Sequence, residues 1–281
     1  MPLLEVTDLR LALPDRAGAS AFGRPTLVEI LKGVSFSLVR GESLAVVGES
    51  GSGKTSLGRA LLRLYEPSAG KIVFDGKDIT HLPESALASY RGRAQMIFQD
   101  PQSALNPRQR IEQILGRPLL AYGYAANAKA ACEEVGNLLE RVGLPRAFAA
   151  RYPHELSGGQ RQRVGIARAI AVRPSLIVAD EIVSGLDVST QAQILLLLRK
   201  LKQQDSLIFI SHDLSVVRLL CDRVLVMREG RIVEQGACAN VFAHPQHDYT
   251  RALLDAIALP QVEPDWLEER PKKSNTPPPN V

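Results

Sequence analysis

Short, unbroken apolar runs recur along this 281-residue chain and constrain its fold more than any other feature. They stand at 44–47 (LAVV), 96–98 (MIF), 176–179 (LIVA), 207–210 (LIFI) and 224–227 (VLVM). A strand with one wet face alternates apolar and polar residues. Runs that do not alternate suit strands covered on both faces, as in a parallel sheet between helices. Segments of helix length and composition lie between several of them, at 54–64, 160–172 and 190–203. Strands alternating with helices specify an α/β fold.

Several segments depart from that rhythm. Residues 3–11 (LLEVTDLRL) and 70–74 (GKIVF) partly alternate, the pattern of antiparallel strands. From about 100 to 155 there is no apolar strand run. The pattern there is helical, broken at Pro101, Pro107, Gly116-Arg117-Pro118 and Gly143-Leu144-Pro145, and it suits a helical subdomain inserted in the α/β core. A short helical extension follows about residue 240. The tail 270–281 (RPKKSNTPPPNV) has no apolar anchor until its last residue and the composition of a disordered segment.

Between the run at 44–47 and the helical segment after it stands Gly48-Glu49-Ser50-Gly51-Ser52-Gly53-Lys54-Thr55, followed by Ser56. It fits G-x-x-x-x-G-K-[ST] with a strand before and a helix after, the context that pattern requires. Glycines let backbone N–H groups turn inward around phosphate oxygens, and the helix N-terminus points its positive dipole end at the same place. Lys54, expected to stand exposed in the loop, would reach the β- and γ-phosphates, and the Thr55 hydroxyl would ligate Mg²⁺. The bland alternative is a glycine-rich turn with no nucleotide.

A phosphate loop needs an acid near the metal. "LIVADE" ends a buried run with Asp180, expected at Mg²⁺, and then Glu181, placed to polarise an attacking water. "ELSGGQRQR" adds a second phosphate-friendly cluster, Ser157-Gly158-Gly159-Gln160, with serine at a helix N-cap. One nucleotide does not need two cradles from one chain. Two chains arranged head to tail would each lend the second cradle to the other.

These residues resemble the ATP-binding-cassette family, and in particular the ATPase subunits of bacterial oligopeptide, dipeptide and nickel importers, over about residues 3–258. "LSGGQRQR" is the most specific element. The order also matches: phosphate loop, "MIFQDP" with Gln99, the signature, "LIVADE", "SGLD" with Asp187 and "SHDL" with His212. "FQDPQSALNPR" and "HPQHDYTRALLDAI" resemble the peptide and nickel importer branch.

The resemblance implies an α/β, P-loop (RecA-like), mainly parallel sheet with an antiparallel β subdomain and an inserted helical subdomain. The expected divisions are 1–99 and 166–240 for the nucleotide-binding core, 100–165 for the helical subdomain and 241–281 for a C-terminal extension. It implies that Gln99 touches Mg²⁺ or the attacking water. Asp187 would lie in the loop joining the two ATP sites, and His212 would contact the γ-phosphate and orient Glu181. Phe22 stands as the adenine-stacking residue. Three points depart from the family pattern: Thr55 followed by Ser56 for Ser-Thr, Ile182 for proline, and Gly185 for alanine.

The expected cofactors are ATP and Mg²⁺. The expected partners are two transmembrane permease subunits, a second ATPase subunit and a periplasmic or extracellular substrate-binding protein, at the cytoplasmic face of the inner membrane. No nucleic-acid partner is expected. Net charge is +4, with basic residues scattered rather than blocked, which permits an anionic partner without demanding one. The three cysteines form no CxxC pair, so neither a disulfide framework, a zinc site nor an iron–sulfur cluster is expected. No stretch approaches the ~18–20 apolar residues of a membrane span. The competing class is a non-transport cassette ATPase acting on DNA or ribosomes. Against it stand the lack of sustained heptads, of zinc-type cysteine pairs and of a second cassette.

Overall fold

The computed structural model describes residues 1–15, 26–100, 104–202 and 205–256. Among the described residues two sheets carry the fold. The larger has the order β10-β9-β3-β8-β7-β6. It is built from β3 (Ser43–Val47), β6 (Ala94–Ile97), β7 (Leu176–Asp180), β8 (Ser206–Ile210), β9 (Arg223–Arg228) and β10 (Arg231–Ala237). Its pairs are parallel except for the β9–β10 hairpin at one edge.

The unbroken apolar runs have a direct physical reason. Successive side chains of a strand point to opposite faces, and here both faces are packed. Leu44, Val46, Val178, Ile208 and Ile210 enter one core, while Ala45, Val47, Ile177, Ala179 and Phe209 enter the other.

The smaller, antiparallel sheet has the order β2-β1-β4-β5. Its strands are β1 (Pro2–Pro14), β2 (Leu27–Val39), β4 (Ala69–Phe74) and β5 (Lys77–Asp78). It closes the core that also holds Leu57 and Leu61 of α1 (Lys54–Leu61). β2 adds to the antiparallel strands expected from sequence. Its inward residues Leu31, Val34, Phe36 and Leu38 are fully or nearly buried while Ser35 and Ser37 face out.

The opposite core is covered by helices. After α2 (Glu84–Arg93), the expected helical segment forms α3 (Ile111–Ala121) and α4 (Ala128–Arg141), with two short 3₁₀ turns before α5 (Gly158–Ile170). Asn127 caps α4 by accepting from the Ala130 N–H at 3.0 Å. α6 (Val188–Lys202) and α7 (Leu214–Leu220) complete the crossovers of the parallel sheet. The chain then adds α8 (Cys238–Ala243) and α9 (Asp248–Ala256). Phe22 and the tail 270–281 lie outside the described residues. Among the described residues no helix is long and apolar enough to cross a membrane.

Candidate active site

The C-terminal ends of β3 and β7 open onto one cleft of about 360 Å³. Ile30, Ser50, Gly51, Gly53, Lys54, Thr55, Ser56, Gln99 and Glu181 line it. The loop between β3 and α1 adopts a path that only glycine fits. Gly48, Gly51 and Gly53 have φ of 145°, 82° and 101°, and a Cβ on Gly48 would meet the Met227 carbonyl oxygen at 2.1 Å. The loop is tied at two further points. Ser52 N–H donates to the Glu49 carbonyl, and the Ser52 carbonyl accepts from the Gly230 N–H in the β9–β10 turn.

Lys54 differs from expectation. It is not an exposed loop residue but 5% exposed. Its ammonium donates to the carbonyls of Gly48 at 2.8 Å and Glu49 at 2.7 Å. Helix α1 begins at this residue, so the side chain folds back over the loop rather than out to solvent. Burial lowers its pKa from the ordinary lysine value, and the charges of Glu181, Asp180 and Glu49 oppose that shift.

One residue on, the Thr55 hydroxyl donates to Asp180 Oδ1 at 3.0 Å. Asp180 ends β7 and is 2% exposed. Burial raises its pKa, the Thr55 hydrogen bond lowers it, and the Glu181 charge raises it again. A hydroxyl, a buried carboxylate and the nearby carboxamide of Gln99 form a set of hard oxygen donors. That chemistry fits Mg²⁺ far better than a thiophilic metal.

Glu181 leaves the strand with φ 46°, a left-handed conformation that is uncommon for a non-glycine residue. Its N–H donates to the Ile210 carbonyl at 2.9 Å, so the turn is held from the neighbouring strand β8 although proline is absent at Ile182. Ile182 itself is buried in the core. The Glu181 carboxylate accepts from Gln99 Nε2 at 2.9 Å and lies 3.7 Å from His212 Nδ1. Three residues far apart in sequence therefore meet at one carboxylate.

The structure does not bring the signature to this cleft. The described lining includes none of Ser157, Gly158, Gly159, Gln160 or Asp187. Ser157 and Gln160 form a reciprocal cap at the start of α5: Gln160 N–H donates to Ser157 Oγ, and Ser157 N–H donates to Gln160 Oε1. Asp187 caps α6 by accepting from the Thr190 N–H at 2.9 Å and the Thr190 hydroxyl at 2.7 Å.

The two glycines of the signature separate clearly. A Cβ on Gly159 would lie 2.4 Å from Thr190 Cγ2, so packing explains that glycine. Among the described residues a Cβ on Gly158 would meet nothing within 4 Å, so none of them demands glycine there.

Two residues at the site went unread in the sequence. Ile30 reaches the cleft from the first half of β2, before the alternation of 34–39 begins, so no local pattern marks it. Tyr249 of α9 accepts a hydrogen bond from the Glu49 N–H at 2.9 Å. Nothing local in the sequence joins positions 200 residues apart.

A phosphate loop at the mouth of a helix, a buried acid on the neighbouring strand and a second acid just beyond it define a P-loop nucleotide hydrolase. The dimeric post-hydrolysis state of the ATP-binding cassette MJ0796 bound to ADP and Pi superposes with a TM-score of 0.74 at 26% identity, covering 84% of this chain and 98% of that one. A Brucella ovis protein, provisionally named a peptide import ATP-binding protein, is 51% identical over 249 residues, 88% of this chain and 78% of its own. The oligopeptide transport ATP-binding protein OppF of Streptococcus mutans is 47% identical over 250 residues, 88% of this chain and 80% of its own. The pattern of the ABC transporter family matches residues 31–184. The chain belongs to the ABC transporter family, and it is an ATP-binding ATP hydrolase of that class.

Proposed function

We propose that this chain is the ATPase subunit of a bacterial importer of peptides, with nickel or a related metal chelate as the alternative cargo. The peptide reading rests on the names of the relatives that match most of the chain. In this reading residues 1–99 and 166–240 form the nucleotide-binding core, 100–165 the helical subdomain and 241–281 the extension. ATP phosphates lie on the loop 48–53, with Lys54 moving its charge from the loop carbonyls to the β- and γ-phosphates. Thr55, Asp180 and Gln99 would hold Mg²⁺, which neutralises phosphate charge when bound.

The convergence of Gln99 and His212 on Glu181 is the observation that carries the chemistry. It supports Glu181 as the general base that accepts a proton from the attacking water. Gln99 and His212 orient its carboxylate. Gly158 supports a shared site, because its bare face answers to no neighbour among the described residues. A second ATPase subunit, identical or a sister, would present its loop-bound ATP to Ser157 and Gly158. Asp187 would lie at the junction of the two sites.

The permease would dock on a groove of about 350 Å³ that lies beside the strand leading to Gln99. Leu64, Gln95, Met96, Phe98, Tyr122 and Arg168 line it, and Leu64 is 45% exposed. Its walls come from the core and from α3 and α5, so a helix seated there would feel both. The complete system would comprise two permease subunits and a substrate-binding protein, with this chain peripheral at the cytoplasmic face of the membrane.

Co-purification from detergent extract tests the reading. The wild-type chain should bring down permease subunits, and Leu64→Glu should lose them while still binding ATP. Recovery of ribosomes or nucleic acid instead would overturn it.

A further inference from the structure

The segment "HPQHDYTRALL" has no role in the chemistry above, yet its tyrosine touches the phosphate loop. The loop's Gly48–Glu49 peptide group is gripped at both ends. Its carbonyl accepts from Lys54 Nζ at 2.8 Å, and its N–H donates to Tyr249 Oη at 2.9 Å. Rotation of that one peptide plane would break both bonds and move the resting place of the Lys54 ammonium. Gly48, at φ 145°, lacks the side chain that elsewhere limits such rotation. The tyrosine hydroxyl supplies the restraint that the backbone sequence does not.

Tyr249 is itself fixed. It is 7% exposed, and the Arg228 guanidinium lies 5.1 Å from its ring centroid. The approach to α9 is tied to β10 by one carboxylate: Glu234 Oε1 accepts from the Gln246 N–H at 2.8 Å, and Oε2 accepts from the His247 N–H at 3.0 Å. His247 Nδ1 in turn accepts from the Tyr249 N–H at 3.1 Å. A strand of the main sheet thus sets the place of the first turn of α9, and that turn sets the hydroxyl.

We infer that Tyr249 is a positioning residue for the phosphate loop: its hydroxyl locks the Gly48–Glu49 peptide and with it the path the loop takes around the phosphates, so the C-terminal extension sets the affinity for ATP. The inference rests on the reading that this loop holds the phosphates of ATP. A loop already in its binding conformation spends less binding free energy on ordering, so loosening it weakens affinity without removing a ligand contact.

Tyr249→Phe in the full chain removes the hydroxyl and keeps the ring over which Arg228 lies. Titration with a fluorescent ATP analogue should give a Kd raised about fivefold, the size of one net hydrogen bond. Hydrogen exchange over residues 46–53 should accelerate. The thermal midpoint should fall by no more than about 2–4 °C, the cost of that one hydrogen bond in a chain of this size. Glu234→Ala, which frees the approach to α9, should weaken ATP in the same direction. The double variant should lose less than the sum of the two, because both act on one element.

A lowered thermal midpoint with unchanged Kd in Tyr249→Phe would show a purely structural residue and overturn the inference. So would additive losses in the double variant. Lys54→Ala separates the two levels. If it abolishes ATP binding while Tyr249→Phe leaves affinity unchanged, the inference alone fails. If Lys54→Ala also binds normally, the reading of the loop fails with it.

Discussion

Replacing Gly158 by glutamate should separate stability from function in opposite directions. Among the described residues nothing lies within 4 Å of the added Cβ, so no packing against them is lost. A glycine gives way to a better helix former, worth up to ~1 kcal/mol in a helix interior. An acid arrives in the first turn of α5, worth ~0.3–1 kcal/mol against the helix dipole. The thermal midpoint should hold or rise. Turnover should collapse if this face meets the nucleotide on a second chain. A carboxylate about 4 Å from a phosphate charge costs ~4 kcal/mol per unit charge at an effective dielectric of 20, or about a thousandfold.

The neighbouring glycine is the control. Gly159→Ala forces a methyl to 2.4 Å from Thr190 Cγ2, and overpacking of that kind costs ~1–3 kcal/mol. Calorimetry should therefore show a lower midpoint for Gly159→Ala and none for Gly158→Glu. Phosphate release by the assembled transporter should fall about a thousandfold in Gly158→Glu, while its isolated chain still titrates with ATP. Normal turnover in Gly158→Glu would refute the shared site, since no folding defect stands ready to mask the result.

Two further outcomes follow from the same geometry. Glu181→Gln keeps a carbonyl oxygen for the Gln99 donor but has no carboxylate to accept a proton, so hydrolysis should slow by roughly 10²–10⁴-fold with ATP binding retained. A closed, ATP-loaded dimer should accumulate, and near-normal phosphate release would remove Glu181 from the base role. Asp205 is held by burial at a pKa of about 6, against the opposing charge of Arg141. A raised folded-state pKa means the native protein holds this proton more tightly than the unfolded chain, so the unfavourable contribution develops as pH rises from about 4 through 6. Asp205→Asn should therefore raise the unfolding midpoint at pH 7.5 by more than at pH 4.5, and an equal change at both would contradict that account.

The parts of the fold legible in the sequence were those governed by local pattern. Runs such as LAVV and LIVA report burial on both strand faces, and the two cores divide their residues alternately between them. Gly48, Gly51, Gly53 and Lys54 follow one another in the chain, so their meeting at a helix mouth needs no long-range information. Ser157 before Gln160 reads as a cap for the same reason.

What escaped was set by contacts between distant segments. β10 (RIVEQGA) is half exposed along its length and carries no strong periodicity. Its strand character comes from pairing with β9. The strand order of the large sheet depends on crossovers that sequence pattern does not encode. The left-handed φ of Glu181 arises where its N–H reaches the Ile210 carbonyl on β8. Lys54 looked like an exposed cation because its acceptors are backbone carbonyls, which no side-chain pattern announces.

On the proposed function, ATP is held at this loop through Lys54. The most direct measurement is ATP titration of the 281-residue chain carrying Lys54→Ala, with folding followed by circular dichroism. Truncation removes a buried ammonium and its two bonds to loop carbonyls, so a modest shift in the unfolding midpoint is expected alongside a native spectrum. ATP affinity should fall about a hundredfold or more, the scale of losing one desolvated charge partner. A folded variant that binds ATP as tightly as the wild type would contradict the claim.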